Sequence, residues 1–375
     1  MKFNSQEEKL GFYKEKLEYE EYIVLNENHD KEILNNFAID KIESYKQFSG
    51  MYLAKEEHES NIIIYNKNNI EIEYCKDYFK LLETLTKIKE ENPDSIVFRG
   101  HSNANYQLAS SLIRMERDIE NEDRDYFDII KAYPQKFRNA RYHLDYLKTI
   151  QHYGGKTRII DVTTNFLVAM YFALSGNKNA VGEVVIFDKS IDDDFAKDNP
   201  RYNTKVKRLN SDTVEILSSL AALDFDSKES VKSHAHTYAN LIKDYPKTEI
   251  DLIKQFNSHR DVKRLVHEVG QVRLNFSHEI DPTHLLEIYF SDSTFDNERI
   301  TNQAGEFIIH GLIPKTQVMK KLNIYRYKEK KRKIILIDNE KRGEMKRYLS
   351  LFGIKDNTIY PSLENAINEI QSKRN

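Results

Sequence analysis

The sequence predicts an α+β protein in which a mostly antiparallel sheet, either continuous or split, surrounds one buried helix. Three observations favour this class. Short runs rich in Ile, Val, Phe and Tyr recur from residue 61 to residue 338 and are typical of strands. Residues 166–174, FLVAMYFAL, are apolar on every side, so a helix formed by them must be enclosed by protein. Residues 189–265 are charged and mostly helical in pattern, which predicts a helical insertion.

The composition indicates a globular chain without a strong overall charge. Its 375 residues include 57 basic and 60 acidic side chains, so a net charge of −3 does not attract the protein to nucleic acid or to a membrane. Cys75 is the single cysteine, which excludes an intramolecular disulfide and a cysteine-based zinc site. The charged amino terminus, and the lack of an apolar run of about 18 residues, predict a cytoplasmic protein that does not span a membrane.

The chain is predicted to divide into an accessory region, residues 1–74, and a principal domain, residues 75–375. Charged residues recur every second or third position over residues 7–25 with scattered apolar side chains, which predicts surface helices. Residues 61–74, NIIIYNKNNIEIEY, predict two strands joined by an Asn-rich turn as a hairpin. A helix is predicted over residues 77–91, because its apolar residues lie near one face and a proline follows it.

The remaining elements follow in chain order. A strand ends on Arg99, helices are predicted over residues 125–137 and 138–153, and two glycines close the second of these. A strand then leads to Asp161, and a polar corner precedes the buried helix. The later elements are strands over residues 180–188, 268–277, 284–292, 305–313 and 332–338, and helices over residues 344–353 and 362–373.

Arg99 is the first candidate site residue, because a guanidinium at the end of a buried strand needs an anionic partner. That partner is either Asp161, in an internal ion pair, or the phosphate of a ligand held at Thr163 and Thr164. The corner residues up to Asn165 precede a helix. They therefore either cap it or offer its free N–H groups to an anion.

Three segments together resemble the FRG domain, a bacterial family named for a Phe-Arg-Gly signature. They are Phe98-Arg99-Gly100, residues 151–174 (QHYGGKTRIIDVTTNFLVAMYFAL) and residues 298–311 (ERITNQAGEFIIHG). The resemblance covers residues 75–375 and departs from the family pattern at Lys156 and at Val162, where the family commonly has tryptophan. It implies a part in bacterial conflict or anti-phage defence, without naming a reaction.

The order of these residues is also similar to the Arg, Ser/Thr, Glu pattern of ADP-ribosyltransferases, which implies that NAD is the substrate. By that resemblance, Arg99 would bind the NAD phosphates, Thr163 and Thr164 would line the site, and Gln303 or Glu306 would lie near the nicotinamide ribose. If this segment is extended, strand alternation places Gln303 and Glu306 on opposite faces, so at most one of them faces a pocket unless Gly305 marks a bulge. If it is Gln303, a carboxylate is missing from that position.

Further polar and aromatic side chains near these motifs are candidate contacts to NAD. His101 could serve as a general base or ligand contact, or be an exposed loop histidine. His152 and Tyr153 could stack on a nicotinamide or a base, or simply pack. Arg158 and Asp161 are expected on opposite faces of their strand, with Asp161 directed to the site. No metal site is expected.

Three functional classes remain open from the sequence. The favoured one is an NAD-processing effector of the ADP-ribosyltransferase type, with a protein or nucleic acid as acceptor. The alternative is a non-catalytic sensor that binds a nucleotide or nucleic acid and signals to a partner protein through the same Arg99 site. In the third class, the polar residues form a structural ion-pair network and the function lies elsewhere.

Overall fold

The structure, a computed structural model, describes most of residues 70–360 and, before residue 70, four short strands. Within 70–360 the description omits residues 76, 104–105, 115–118, 177–181, 191–210, 275, 277, 292–302, 328–331 and 338–341. The helix predicted over residues 362–373 and most of the predicted amino-terminal helices lie outside the described residues. Residues 23–25 form a strand, so the helix prediction is wrong there.

The described strands and helices are numbered in chain order. The strands are β1 (Ile23–Leu25), β2 (Gln47–Phe48), β3 (Met51–Tyr52), β4 (Ile63–Tyr65), β5 (Ile70–Cys75), β6 (Ile96–His101), β7 (Ile159–Thr163), β8 (Gly182–Asp188), β9 (Ile288–Ser291), β10 (Gly305–His310) and β11 (Arg332–Ile337). The helices are α1 (Tyr78–Glu91), α2 (Glu122–Ala132), α3 (His143–His152), α4 (Phe166–Ala173), α5 (Ser211–Ser219), α6 (Phe225–Asp244), α7 (Glu249–Ser258), α8 (Arg260–Val272), α9 (Lys315–Ile324), α10 (Arg342–Leu351) and α11 (Asp356–Ile359). None of these helices is both long and apolar enough to cross a membrane.

A seven-stranded sheet forms the centre of the molecule, in the order β5-β11-β8-β6-β7-β10-β9. Every neighbouring pair in it is antiparallel except β5 and β11. The α+β class and the mostly antiparallel sheet are therefore confirmed. The strands β6 and β7 pair only at Phe98 and Thr163, whereas β6 and β8 pair at six positions. The sheet is thus continuous but narrow at this β6–β7 junction.

Helix α4 packs directly on strand β6 because Gly100 has no side chain. A Cβ atom on Gly100 would lie 2.0 Å from the Ala169 carbonyl oxygen and 2.6 Å from the Ala173 nitrogen. The helix buries Val168, Ala169, Met170, Tyr171 and Ala173, while its other apolar residues are partly buried, so the prediction of an enclosed helix is confirmed. With α1 and α10 it forms one core against the β5, β11, β8 and β6 half of the sheet.

The other half of the sheet carries the helical layer. Helices α5 to α8, together with α2 and α3, bury the side chains of Ile159, Phe307 and Ile309 from β7 and β10. On the opposite face of the sheet, α9 packs on Val97 and Ile160. Alternating side chains of the same strands thus enter different cores, as expected for a sheet covered on both faces.

Two further predictions are wrong. The strand predicted over residues 268–277 is occupied up to Val272 by α8, whose buried Val262, Leu265 and Val269 repeat with helical spacing. The two strands predicted for residues 61–74 exist, but β4 pairs with β1 and β5 pairs with β11, so they do not form a hairpin. In both cases pairing and packing with distant segments outweigh the local pattern.

We expect Gly100→Ala to destabilise the protein by about 1–3 kcal/mol or more, because the added methyl group must push α4 away from β6. Urea unfolding measures this loss. Gly343→Ala is the matched control: no atom lies within 4 Å of the added Cβ, and the exchange within α10 should be neutral or stabilise by up to about 1 kcal/mol. Equal stability of the two variants would contradict close α4–β6 packing.

Candidate functional site

A pocket of about 180 Å³ lies at the β6–β7 junction, where the sheet is narrowest. Its walls come from both strands, from helix α4, from the turn before β10 and from the residue after α11. The lining residues are Phe98, Arg99, Gly100, Asp161, Val162, Thr163, Val168, Phe172, Gln303 and Tyr360. The pocket therefore brings four of the predicted site residues together, namely Arg99, Asp161, Thr163 and Gln303.

Arg99 lies half-buried in the pocket wall and bridges the two separating strands. Its Nη1 donates to the Asp161 carbonyl oxygen at 2.5 Å, and its Nε donates to His101 Nε2 at 3.0 Å. Burial lowers the pKa of Arg99 to about 10, with the Asp161 charge opposing the shift, so the guanidinium is protonated at neutral pH. The guanidinium donates to a backbone carbonyl of β7, and it forms no salt bridge with a described carboxylate.

Asp161 contributes the pocket's carboxylate, and its side chain is exposed. The internal ion pair between Arg99 and the Asp161 carboxylate, one of the two alternatives from the sequence, is not formed. The other alternative, a bound phosphate, stays a prediction. The guanidinium bonds to the backbone of Asp161, and the pocket between them is open. Among the described residues that line the pocket, Arg99 is the cation and Asp161 the anion, so the pocket offers both charges to a ligand.

Thr163 and Thr164 fasten the corner after β7 to the turn before β10. Thr163 Oγ1 donates to the Gln303 carbonyl at 2.6 Å, and the Thr164 N–H donates to the Ala304 carbonyl at 3.0 Å. Ala304 adopts a φ of 45°, the left-handed conformation that reverses the chain before Gly305. Thr163 lines the pocket, whereas Thr164, predicted to line it as well, does not.

The amino terminus of α4 is capped from within the chain. Asn165 Oδ1 accepts from the Leu167 N–H at 2.9 Å, and Thr163 Oγ1 accepts from the Asn165 N–H at 3.0 Å. Because these two N–H groups already have acceptors, the capping alternative describes this corner. Asn165 does not line the pocket.

Gln303 lies in the turn before β10, whereas Glu306 lies within that strand. Gln303 lines the pocket and donates through Nε2 to the Ile359 carbonyl at 3.0 Å, which fastens α11 beside the pocket. Glu306 is absent from the lining, and its carboxylate pairs with Lys189 at 3.0 Å. The candidate catalytic role of Glu306 is therefore corrected, because the pleat of β10 directs its side chain elsewhere.

His101 lies within β6 and is 3% exposed, so the expected exposed loop histidine is wrong. Burial lowers its pKa to about 4, against the favourable influence of Glu183, and the imidazole is neutral at neutral pH. His101 Nδ1 lies 3.6 Å from Glu183 Oε2, and Glu183 pairs with Arg326 at 2.8 Å. His101 contacts Arg99 but is not in the pocket lining.

Arg158 is placed in a separate buried charge cluster. It pairs with Glu122, which also contacts Lys228 at 2.8 Å. Asp161 lies at the pocket and Arg158 away from it, as the opposite-face prediction requires. Arg158 does not contact the pocket, so its candidate role in NAD binding is corrected: its guanidinium neutralises a buried carboxylate.

His152 and Tyr153 also lie outside the pocket lining, so the structure does not support them as stacking partners there. Their rings contact each other edge to face at the end of α3, and Lys136 lies 5.3 Å from the centre of the Tyr153 ring. The sequence reasoning missed Phe172 and Tyr360 as pocket residues. Phe172 lies in a helix that is apolar all round, so no periodicity marks it as a pocket residue. Tyr360 is far from the other pocket residues in the sequence and reaches the pocket only in the folded chain.

One carboxylate outside the pocket is expected to give the protein a pH-dependent stability. Glu215 of α5 is buried against the start of α3, where the His143 N–H donates to it at 2.7 Å. Burial raises its pKa to about 7 from the ordinary value of 4.5. The folded state therefore retains a proton that the unfolded state releases, and stability falls as pH rises from about 4.5 through 7, by roughly 3 kcal/mol.

The Glu215→Gln variant should remove this slope, which urea unfolding at pH 5 and pH 8 measures. We expect the wild-type midpoint to fall relative to that of the variant over this range. An exposed exchange, Glu83→Gln, should run parallel to the wild type. Parallel curves for Glu215→Gln and the wild type would contradict the raised pKa.

Comparisons with known proteins add one finding. Neither the curated proteins nor the solved structures include a match to this chain. A family model described as the FRG domain matches residues 94–181, which contain β6, β7, α4 and the Arg99 and Asp161 walls of the pocket. The extension of that domain over residues 75–375 stays a prediction. Residues 94–181 are therefore similar to the FRG domain family.

Proposed function

We propose that the pocket at the β6–β7 junction binds NAD and that the protein cleaves the bond between nicotinamide and ribose, as ADP-ribosyltransferase-like enzymes do. The observation that carries this proposal is Arg99. It is a protonated guanidinium in a pocket wall, and it forms no salt bridge with a described carboxylate. A guanidinium fork in that position suits a phosphate, which binds it through two parallel hydrogen bonds.

The volume of the pocket limits which part of the ligand it encloses. At about 180 Å³ it is smaller than the roughly 300–1,000 Å³ of pockets that enclose whole drug-sized ligands. One phosphate and the adjoining part of the nucleotide would therefore enter, and the rest of NAD would lie along the surface. Phe172 and Tyr360 offer aromatic surface on the wall contributed by α4 and α11.

Asp161 supplies the charge for the chemical step in this proposal. When the C1′–N bond breaks, its electron pair leaves with nicotinamide, and the ribose carbon becomes an oxocarbenium-like cation. A carboxylate beside that carbon stabilises the developing charge. A hydroxyl of water or of an acceptor then attacks C1′ and releases its proton to solvent. Among the pocket-lining residues described, Asp161 is the one with a carboxylate.

The test follows nicotinamide release from NAD by the purified full chain. We expect release by the wild type and a loss of about 100-fold in Asp161→Asn, because one charge that stabilises the transition state is removed. Glu306→Gln is the comparison, since Glu306 pairs with Lys189 and does not line the pocket. No release by the wild type, with protein or nucleic-acid acceptors present, would exclude the enzymatic proposal. Loss of nicotinamide release in Glu306→Gln but not in Asp161→Asn would exclude Asp161 as the carboxylate that stabilises the cation.

A second candidate function is a non-catalytic sensor that binds the same ligand and signals to a partner protein. One observation favours it: the pocket residue just before β10 is Gln303, an uncharged amide already bonded to the Ile359 carbonyl. Because that carbonyl lies at the end of α11, a ligand that displaces the amide would remove one hydrogen bond that holds α11 beside the pocket. Calorimetric binding of NAD without nicotinamide release would select this function.

The biological role proposed for the enzyme is an effector in bacterial conflict or anti-phage defence, acting by consumption of cellular NAD. The FRG domain match supports this role by family resemblance. Expression of the wild type in bacterial cells should lower their NAD content and slow growth. Arg99→Ala, expressed to the same level, should do neither.

A further inference from the structure

A chain of buried polar groups leads from the pocket into the sheet. Arg99 Nε donates to His101 Nε2 at 3.0 Å, and the other ring nitrogen of His101 lies 3.6 Å from Glu183 Oε2. Glu183 Oε1 accepts from Arg326 Nη1 at 2.8 Å. His101, Glu183 and Arg326 are each at most 3% exposed. Groups this deeply buried require polar partners, so their arrangement is specified by the fold.

Strand register produces this chain. Arg99 and His101 are two residues apart on β6, so their side chains leave the same face of the strand. His101 is the direct cross-strand partner of Glu183 on β8. Arg326 reaches the same strand through a bridge between its backbone and that of Phe187, and its Nε donates to Asn323 at 2.7 Å. Glu183 is therefore fixed from one side by Arg326 and faces His101 on the other.

The direction of the first hydrogen bond fixes the tautomer of His101. Arg99 has only donors, so His101 Nε2 must accept and cannot carry a proton. Burial lowers the pKa of His101 to about 4, and the neutral imidazole then holds its one proton on Nδ1. Nδ1 and Glu183 Oε2 are both buried and lie 3.6 Å apart, and neither has a hydrogen-bond partner among the described residues, so the N–H faces the carboxylate.

We propose that His101 is a positioning residue: its neutral ring holds the Nε edge of Arg99, while Glu183, fixed by Arg326, keeps the imidazole in the tautomer that accepts. The two Nη groups of Arg99 are thereby directed to the Asp161 carbonyl and the pocket. The consequence for ligand binding rests on the proposed function, because it assumes that an anion binds Arg99. The arrangement of Arg99, His101, Glu183 and Arg326 does not depend on that assumption.

The geometry is tested by nitrogen NMR on protein labelled at arginine and histidine. At pH 7 we expect His101 to carry its proton on Nδ1 and the Arg99 Nε–H to be protected from exchange with water. The His101→Gln and Arg99→Lys spectra assign the two signals. Protonation of His101 on Nε2, or a rapidly exchanging Arg99 Nε–H, in the wild-type protein would overturn the proposal.

The consequence is tested with two exchanges at one position. His101→Gln places an amide oxygen near the former Nε2, whereas His101→Leu fills similar space without an acceptor. Inorganic pyrophosphate is the probe, and its dissociation constant is measured by calorimetry. We expect binding about tenfold weaker in His101→Leu and within about twofold of the wild type in His101→Gln. Wild-type affinity in His101→Leu would overturn the positioning role.

The two proposals fail in different ways. If the NMR results are as expected but the wild type binds neither pyrophosphate nor NAD, the arrangement of Arg99, His101 and Glu183 is confirmed and the proposed function fails. If the wild type binds both and the Arg99 Nε–H stays protected in His101→Leu, the proposed NAD site stands and the positioning role of His101 fails.

Discussion

Arg99→Ala should reduce both pyrophosphate binding and nicotinamide release by at least about 100-fold while the protein stays folded. The substitution removes the one cation of the described pocket lining and the hydrogen-bond donors of its guanidinium. Donors that face developing or bound negative charge in a partly dry site contribute roughly this much each. Calorimetry measures binding, a nicotinamide assay measures turnover, and thermal unfolding shows that the fold is retained.

Arg99→Lys separates charge from shape. A lysine keeps the positive charge but loses the planar fork and the Nε donor that bonds to His101. We expect an intermediate loss, about tenfold, in this variant. A ligand that binds Arg99→Ala as tightly as the wild type would show that the guanidinium only fastens β6 to the Asp161 carbonyl. The pocket would then not be an anion site.

Glu122→Gln should lower the free energy of unfolding by about 3–5 kcal/mol, the largest stability effect expected for one substitution in the described part of the chain. Glu122 is 4% exposed and contacts both Arg158 and Lys228, which are equally buried. An amide has the same shape but no charge, so two cations would remain buried without a neutralising carboxylate. Urea unfolding of the full chain measures the loss.

The pH dependence of Glu122 gives an independent check. Burial alone would raise its pKa, but the charges of Arg158 and Lys228 outweigh burial and lower it to about 2. Because the folded pKa lies below the ordinary value of 4.5, this stabilisation is complete above pH 4.5 and is lost as pH falls towards 2. The Glu122→Gln variant should lack that acid-dependent loss.

Glu229→Gln is the matched control for Glu122→Gln. Glu229 pairs with Lys232 at 3.0 Å, but on the surface of α6, where both side chains reach solvent. Exposed pairs contribute little, so this exchange should change stability by no more than about 0.5 kcal/mol. Equal effects at the two positions would show that Arg158 and Lys228 do not depend on Glu122.

The site was predicted in part because its residues carry unusual local chemistry. An arginine after an apolar run and a polar corner before an apolar helix are visible without coordinates, and Arg99, Asp161, Thr163 and Gln303 do share one pocket. The prediction of site residues failed where the local sequence does not indicate whether a polar side chain faces the pocket or the interior. His101 and Arg158 are polar residues beside the same motifs, and both turned out to be buried in internal networks.

The accuracy of the element predictions follows the same division. Helix α1 was predictable because its apolar residues, among them the buried Leu85 and Ile88, repeat with helical spacing and Pro93 follows them. Phe79, predicted on the same face, is exposed. The end of α8 was not predictable, because residues 268–277 mix apolar and polar positions in a way that fits either period. Packing against the helical layer decided in favour of a helix there.

The amino-acid sequence by itself determined the α+β class, the enclosed helix α4 and the presence of a guanidinium in a strand, since these depend on periodicity and on the charge of single residues. The strand was predicted to end on Arg99, whereas β6 continues to His101. Only the tertiary structure decided that β6 and β7 separate after one paired position, that the resulting gap is a pocket, and which polar neighbours face it. Those features depend on pairing between residues more than 60 positions apart, such as Arg99 and Asp161, whose geometry no local pattern specifies.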